Sequence, residues 1–176
     1  GPSKSLKPGD LVVGIVRRPC PVPCPSCAVG EWDMCSSGQY TERGIKEIHG
    51  FMSQHWRSEP EYLIKIDPSL GILGVLLEPM TVITKALEQV YMAGQRAYWE
   101  PRTALVTGAG PIGLLAALRL KANNLDVHVL DRAEAGPKAD LVRALGGTYH
   151  SGRVTELDFE PHIIVECTGV GAVIAD

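Results

Sequence analysis

The chain reads as an α/β protein: a β-rich first part carrying a cysteine lobe, followed by part of a doubly wound parallel sheet covered by helices. Three observations predict this. Up to about Pro79, short apolar runs are broken by Pro and Gly, whereas from Met80 onward helices and strands alternate. The later strands, Ala104-Leu105-Val106 and Ile163-Ile164-Val165, are near-continuous apolar runs, the pattern of strands buried on both faces.

Taken in order, the turn signal Lys7-Pro8-Gly9-Asp10 opens a strand over Leu11 to Val16. A second strand, Tyr62 to Ile66, is closed by Asp67-Pro68, and the stretch between them, Arg17 to Trp56, is loop-rich. Val82, Ile83, Ala86, Leu87, Val90 and Tyr91 share one face at helical spacing, with Gly94 as a C-terminal stop. A strand at Ala104 to Val106 leads to an Ala/Leu-rich helix over Ile112 to Ala122, then to a strand at Val127 to Leu130. A helix over Pro137 to Leu145 stops at Gly146-Gly147, and the strand Ile163 to Val165 follows. Residues 1–79 therefore form one part, with the lobe at about 17–45, and residues 80–176 the other. There is no internal repeat, and the prolines around Cys20 to Pro25 are too few to act as a linker.

The 176 residues suffice for one large domain or two small ones. A formal charge of −3 gives no basic field for nucleic acid, so no such partner is expected. No uninterrupted apolar run reaches the roughly 18 residues that span a bilayer, so no membrane partner is expected either. The start, Gly1-Pro2-Ser3-Lys4, lacks an initiator Met and the build of a signal peptide, and reads as a tag remnant or an internal cut point. Nothing argues for secretion, and a cytoplasmic location is expected.

Four of the five cysteines cluster: Cys20, Cys24 and Cys27, then seven residues, then Cys35. Four thiolates on one short loop suit a tetrahedral, closed zinc site, which leaves no open position for substrate and so holds structure rather than doing chemistry. Two disulfides or free thiols are the competing readings; clustering in a chain without export signals favours metal. Cys167, alone in an apolar run, reads as a packed structural thiol rather than a nucleophile.

Gly108-Ala109-Gly110-Pro111-Ile112-Gly113 lies between a predicted strand and a predicted helix. Gly108 permits the tight turn, Gly110 lets backbone approach a pyrophosphate, and Gly113 allows close helix–strand packing. The helix N-terminus supplies free N–H groups to phosphate. The next strand ends in Asp131, an acid placed to bind the ribose hydroxyls of NAD; its simpler reading is a helix cap or solvated turn residue. The adjacent Arg132 suits the extra phosphate of NADP. Thr168, Gly169 and Val170 follow a strand end on the edge where such sheets bind cofactor.

The cysteine lobe, Leu77-Glu78-Pro79 and the Gly108 to Gly113 turn together resemble the zinc-containing medium-chain dehydrogenase/reductase (alcohol dehydrogenase) family. Arg17-Arg18-Pro19-Cys20, Tyr40 to Glu47 and Gly50-Phe51-Met52 resemble its glucose 1-dehydrogenase branch. The resemblance runs from Lys7 to Asp176. It implies part of a GroES-like catalytic domain in 1–79, then a linking helix and the first half of a Rossmann-type NAD(P)-binding domain in 80–176. It also implies a catalytic zinc besides the structural one, NAD or NADP, a sugar or alcohol substrate and a homo-oligomer.

Within that resemblance Glu78 is a catalytic-zinc ligand or sits beside that zinc, and Glu42 contacts sugar hydroxyls. The plainer readings are a dipole-stabilising acid ahead of a helix for Glu78 and a solvated loop charge for Glu42. Two departures stand out. Cys20 and Cys24 are separated by three residues where the family usually has two. The family takes its other catalytic-zinc ligands, a Cys and a His with an adjacent acid, from a segment ahead of the first residue here. His49, His55, His128, His150 and His162 do not supply them, and His128 and His162 read as packing or surface residues flanking strands. The implied reaction is oxidation of an aldose at the anomeric carbon to a lactone, with hydride passing to nicotinamide, by a longer protein of which this chain is an internal piece. The chain alone is expected to bind structural zinc, to bind cofactor weakly and not to turn over. A polyol or secondary-alcohol dehydrogenase of the same family and a non-catalytic zinc scaffold remain as alternatives.

Overall fold

A computed structural model describes residues 6–175; the Gly1-Pro2-Ser3-Lys4 start and Asp176 lie outside the described residues. The chain forms two compact units that divide between Val75 and Leu76.

In the first unit the elements are β1 (Val12–Gly14), β2 (Arg17–Arg18), the short helix α1 (Pro25–Ala28), β3 (Thr41–Arg43), β4 (Glu47–Ile48) and β5 (Leu63–Lys65). β1 pairs antiparallel with β5, Val13 opposite Ile64. The ladder is prolonged at both ends by Ile15 N–H to the Tyr62 carbonyl and Ile66 N–H to the Leu11 carbonyl, so the expected strands stand in nearly their expected places. The stretch read as loop contains a second small sheet, order β2-β3-β4. Its strands are only two or three residues long, too short for any alternation to show in sequence.

The β3–β4 connection is a tight loop. Glu42 N–H bonds the Lys46 carbonyl, and the N–H groups of Ile45 and Lys46 return to the Glu42 carbonyl. Gly44 and Gly50 then touch backbone to backbone: a Cβ on Gly50 would lie 3.1 Å from the Gly44 Cα.

In the second unit the elements are α2 (Leu77–Gly94), β6 (Thr103–Thr107), α3 (Pro111–Ala122), β7 (Asp126–Asp131), α4 (Pro137–Ala144), β8 (Thr148–Ser151), β9 (Ile163–Glu166) and α5 (Gly171–Ala175). The four strands form one parallel sheet in the order β8-β7-β6-β9. Apolar content and spacing foretell β6, β7 and β9; β8, made of Thr, Tyr, His and Ser, carries no apolar run and was not expected.

α2 begins earlier than predicted, so Glu78 lies in its first turn rather than ahead of it. Pro79 is tolerated there because a first-turn residue has no intrahelical N–H partner to lose. The helical segment Pro68–Gly94 is long and apolar enough to cross a bilayer by length and composition. It is interrupted by non-helical backbone at Gly71, and Ile83 and Leu87 on α2 are buried in the core of the sheet. That core joins them to Ala104, Val106, Ala116, Leu120, Val127 and Val142. α2 is thus a covering helix that packs on α3.

His128 lies within β7, not beside it. Its Nδ1 is 2.8 Å from His150 Nε2 on β8, and its Nε2 is 3.2 Å from an Asp126 carboxylate oxygen. Phe159, in the crossover from β8 to β9, packs on the His128 ring at 4.0 Å between centroids. His162, ahead of β9, receives the Thr103 N–H on Nδ1.

Gly113 binds α3 to β6: a Cβ there would stand 1.8 Å from the Gly108 carbonyl oxygen. Backbone cannot give way as a flexible side chain can, so Gly113→Ala is expected to destabilise by about 2 kcal/mol, the usual cost of overpacking. Urea denaturation of the variant against the parent checks this; an unchanged midpoint would refute the contact.

Candidate functional site

The sulfur atoms of Cys20, Cys24, Cys27 and Cys35 all lie within 4.8 Å of one another. Zinc–sulfur bonds of about 2.3 Å set the edge of a ZnS4 tetrahedron at roughly 3.8 Å. Cys24 Sγ and Cys35 Sγ are 3.9 Å apart, so the donor set fits zinc with little adjustment. The three-residue spacing of Cys20 and Cys24 is taken up locally: Cys24 N–H donates to Cys20 Sγ at 3.2 Å, ahead of α1. The Cys27 backbone and the Ser36 hydroxyl draw the Cys24 thiol down to about 5. Cys27 differs: its hydrogen bond with the Cys20 backbone favours the thiolate, yet burial and the neighbouring thiols push it up to about 12. The five cysteines are free of disulfides. Among the described residues this tetrad is the one group of three or more His, Cys, Asp or Glu able to hold an ion.

The second site is a cleft of about 270 Å³ at the C-terminal edge of the parallel sheet. It is lined by Gly108 and Gly110 after β6, Asp131 and Arg132 at the end of β7, Lys138 on α4, and Cys167, Thr168 and Val170 after β9. Gly108 has φ +94°, a conformation that only glycine adopts without strain, and its N–H anchors the turn to the Leu130 carbonyl. A Cβ on Gly110 would meet nothing within 4 Å, which leaves the turn open to an incoming group. Pro111, Ile112, Gly113 and Gly169 stand behind the lining. Pro111 opens α3, and the Gly169 N–H turns back to the Glu166 carboxylate.

Asp131 joins these parts. One carboxylate oxygen accepts the Ala109 N–H at 2.7 Å and the Lys138 ammonium at 3.1 Å; the other accepts the Ala133 N–H. Burial works to raise its pKa, but the Ala109 and Ala133 N–H groups and Lys138 outweigh it and hold the carboxyl below its ordinary value. Asp131 is therefore a half-buried clamp on the glycine turn as well as a charge in the cleft, not a solvated turn residue.

Lys138 was missed in the sequence. The available signal was Gly136-Pro137, which marks the first turn of α4 and so places Lys138 close to the end of β7. Cys167 forms part of the cleft wall while its N–H bonds the Thr107 carbonyl. Burial and the Glu166 charge raise its pKa and keep it a thiol, as a packing residue should be.

Glu42, on β3, is not a solvated loop charge: its side chain is 12% exposed and its Oε2 is 3.0 Å from an Arg17 guanidinium nitrogen. Glu78 is exposed in the first turn of α2, where it also suits the helix dipole.

Comparison with known proteins adds the following. Residues 71–176 match the family described as "Glucose dehydrogenase C-terminus". The chain is 43% identical over 173 residues to a glucose 1-dehydrogenase of Methanocella arvoryzae, covering 94% of this chain and 48% of that one. It is 38% identical over 172 residues to a glucose 1-dehydrogenase of Metallosphaera sedula, covering 93% and 48%. Among solved structures, Haloferax mediterranei glucose dehydrogenase in complex with NADP, Zn and gluconolactone superposes with a TM-score of 0.82 at 34% identity, over 94% of this chain and 49% of that one. Escherichia coli galactitol-1-phosphate dehydrogenase, at 23% identity and TM-score 0.74 over 97% and 49%, shares the fold. The chain spans about half the length of the curated relatives it matches.

Two outcomes are expected. The protein should carry zinc in the lobe, and Cys35→Ser should lower its metal content by one equivalent per chain in elemental analysis; full retention would rule out the tetrad. The depressed Asp131 carboxyl adds stability that is complete above the ordinary value near ~3.9 and is lost as pH falls through its lower folded value. Asp131→Asn should then be less stable at neutral pH and flatten the acid limb below about pH 4 in thermal melts against pH.

Proposed function

The chain belongs to the family of the glucose dehydrogenase C-terminus, and from this premise we propose that the whole protein is a zinc-dependent NAD(P) oxidoreductase converting an aldose to its lactone. The observation that carries the reading is the cleft: a glycine turn clamped by Asp131 opens at the edge where β6 and β9 lie side by side. In open α/β sheets this is the topological switch point, where dinucleotides bind. The Methanocella and Metallosphaera relatives are glucose 1-dehydrogenases, and the Haloferax relative holds NADP, Zn and gluconolactone.

This chain's own residues would bind and orient. The N–H groups at the start of α3 face the pyrophosphate. Asp131 draws the ribose hydroxyls of NAD, while Arg132 and Lys138 offset its charge and suit the added phosphate of NADP, so the cleft supports both coenzymes. Glu42 accepts hydrogen bonds from sugar hydroxyls, and Glu78 lies at or beside the catalytic zinc. When bound, that zinc supplies Lewis acidity at the anomeric hydroxyl and the nicotinamide supplies the hydride acceptor. Glu78 offers one carboxylate, and zinc in catalytic sites takes three protein ligands, so the remaining ligands come from outside the described residues. A cytoplasmic location is part of the proposal.

Assay of the full-length protein with glucose, galactose, threonine and simple alcohols tests the proposal. Lactone formation from an aldose with matching reduction of NAD or NADP is expected; activity on alcohols alone would move the reading to an alcohol dehydrogenase. Asp131→Ala should raise the KM for NAD more than that for NADP, and an unshifted ratio would count against the ribose contact.

A further inference from the structure

We propose that Arg17 is a positioning residue for the sugar: its guanidinium holds the Glu42 carboxylate in one orientation, so that its remaining oxygen meets the hydroxyls. The inference rests on the reading of Glu42 as a sugar contact. Arg17 and Glu42 are directly paired across β2 and β3, the relation in which side chains on one face interact most closely. Their contact is 3.0 Å, with the carboxylate mostly buried and the guanidinium 24% exposed.

The guanidinium is itself fixed, 3.8 Å over the Tyr40 ring. The neighbouring arginines do other work. Arg18 lies over Tyr62 and pairs with Glu59, and Arg43 bonds the His49 and Arg57 carbonyls. The Glu42 backbone is already locked by its bonds with Ile45 and Lys46. What stays free is the rotation of its side chain, and Arg17 removes that freedom. The ion pair is made through Oε2, and Oε1 is the carboxylate's other acceptor. An ionised carboxylate only accepts, and sugar hydroxyls donate, so the orientation of that oxygen sets how the sugar is held.

The test uses full-length protein carrying Arg17→Met, Arg17→Lys or Glu42→Gln. Loss of the charged contact in Arg17→Met should raise the KM for the aldose about ten-fold, with kcat within about two-fold, since uniform substrate binding is what is lost. The KM for coenzyme and the zinc content should not move. Arg17→Lys should recover most of the loss, because a single-oxygen contact needs charge more than a fork. Equal losses in kcat, coenzyme KM and zinc would mark a merely structural role and overturn the proposal. A raised aldose KM in Glu42→Gln beside an unchanged one in Arg17→Met would overturn the role of Arg17 alone. An unchanged KM in Glu42→Gln would remove the sugar reading of Glu42 and this inference with it. If Arg17→Met does not fold, Tyr40→Leu, which removes the ring beneath the Arg17 guanidinium and the Lys46 ammonium, takes its place. A rise of about three-fold in aldose KM is then expected from loss of a cation–π contact, and no rise overturns the proposal.

Discussion

The pairing of β6 along both edges is the constraint on which the second unit depends. From β6 the chain moves outward to β7 and β8, then returns across the sheet to β9 on the other side. That reversal leaves a gap above the β6 and β9 ends, because the connections leave in opposite directions. Residues Ala104 to Thr107 are buried, so the turn that follows them emerges from a fixed platform. Gly113 lets α3 lie against that turn, and Asp131 ties it to the end of β7. A change at any of these contacts is a change in the shape of the cleft.

The first unit is held differently. It has few buried apolar side chains, and its order comes from cysteines, charged–aromatic stacks and short ladders. Small apolar cores of this kind need such staples. The consequence is local: metal in the lobe, the Arg17–Tyr40 stack and the Gly44–Gly50 contact all lie within one loop system, with Glu42 in its middle.

Much of this was legible in the sequence, and the exceptions have physical reasons. Apolar runs marked β6, β7 and β9 because buried strands must be apolar on both faces. β8 escaped because its residues, Thr148 to Ser151, are all polar or amphipathic: Tyr149 reaches the core yet bonds the Ala133 carbonyl, and His150 meets His128. β2, β3 and β4 are too short to have a period; their pairing follows from the Gly44–Gly50 approach, which is invisible until the chain is folded. The family resemblance is borne out by the match over 71–176 and by the glucose 1-dehydrogenase relatives. Asp131 was legible as an acid at the end of β7 but not as a clamp, since the Ala109 and Lys138 contacts depend on how two turns meet. Glu42 could be carried over by resemblance, whereas its partner Arg17 is known only from the register of β2 on β3.

The histidine pair under the crossover has one more consequence. Two imidazole nitrogens 2.8 Å apart share a single hydrogen, and a second proton would set two N–H groups against each other. Burial, and then the proximity of His128, hold the His150 pKa below its ordinary value, while Asp158 pulls the other way. Asp126 meets the far side of His128. A neutral His150 is thus favoured in the folded state, and that contribution fades as pH falls below the ordinary histidine value near ~6.5. The ring of Phe159 rests on this pair, and the same crossover contributes Gly152 to the wall of the cleft. A charge placed on His150 in mild acid therefore bears on the crossover from β8 to β9, which forms part of the cleft wall.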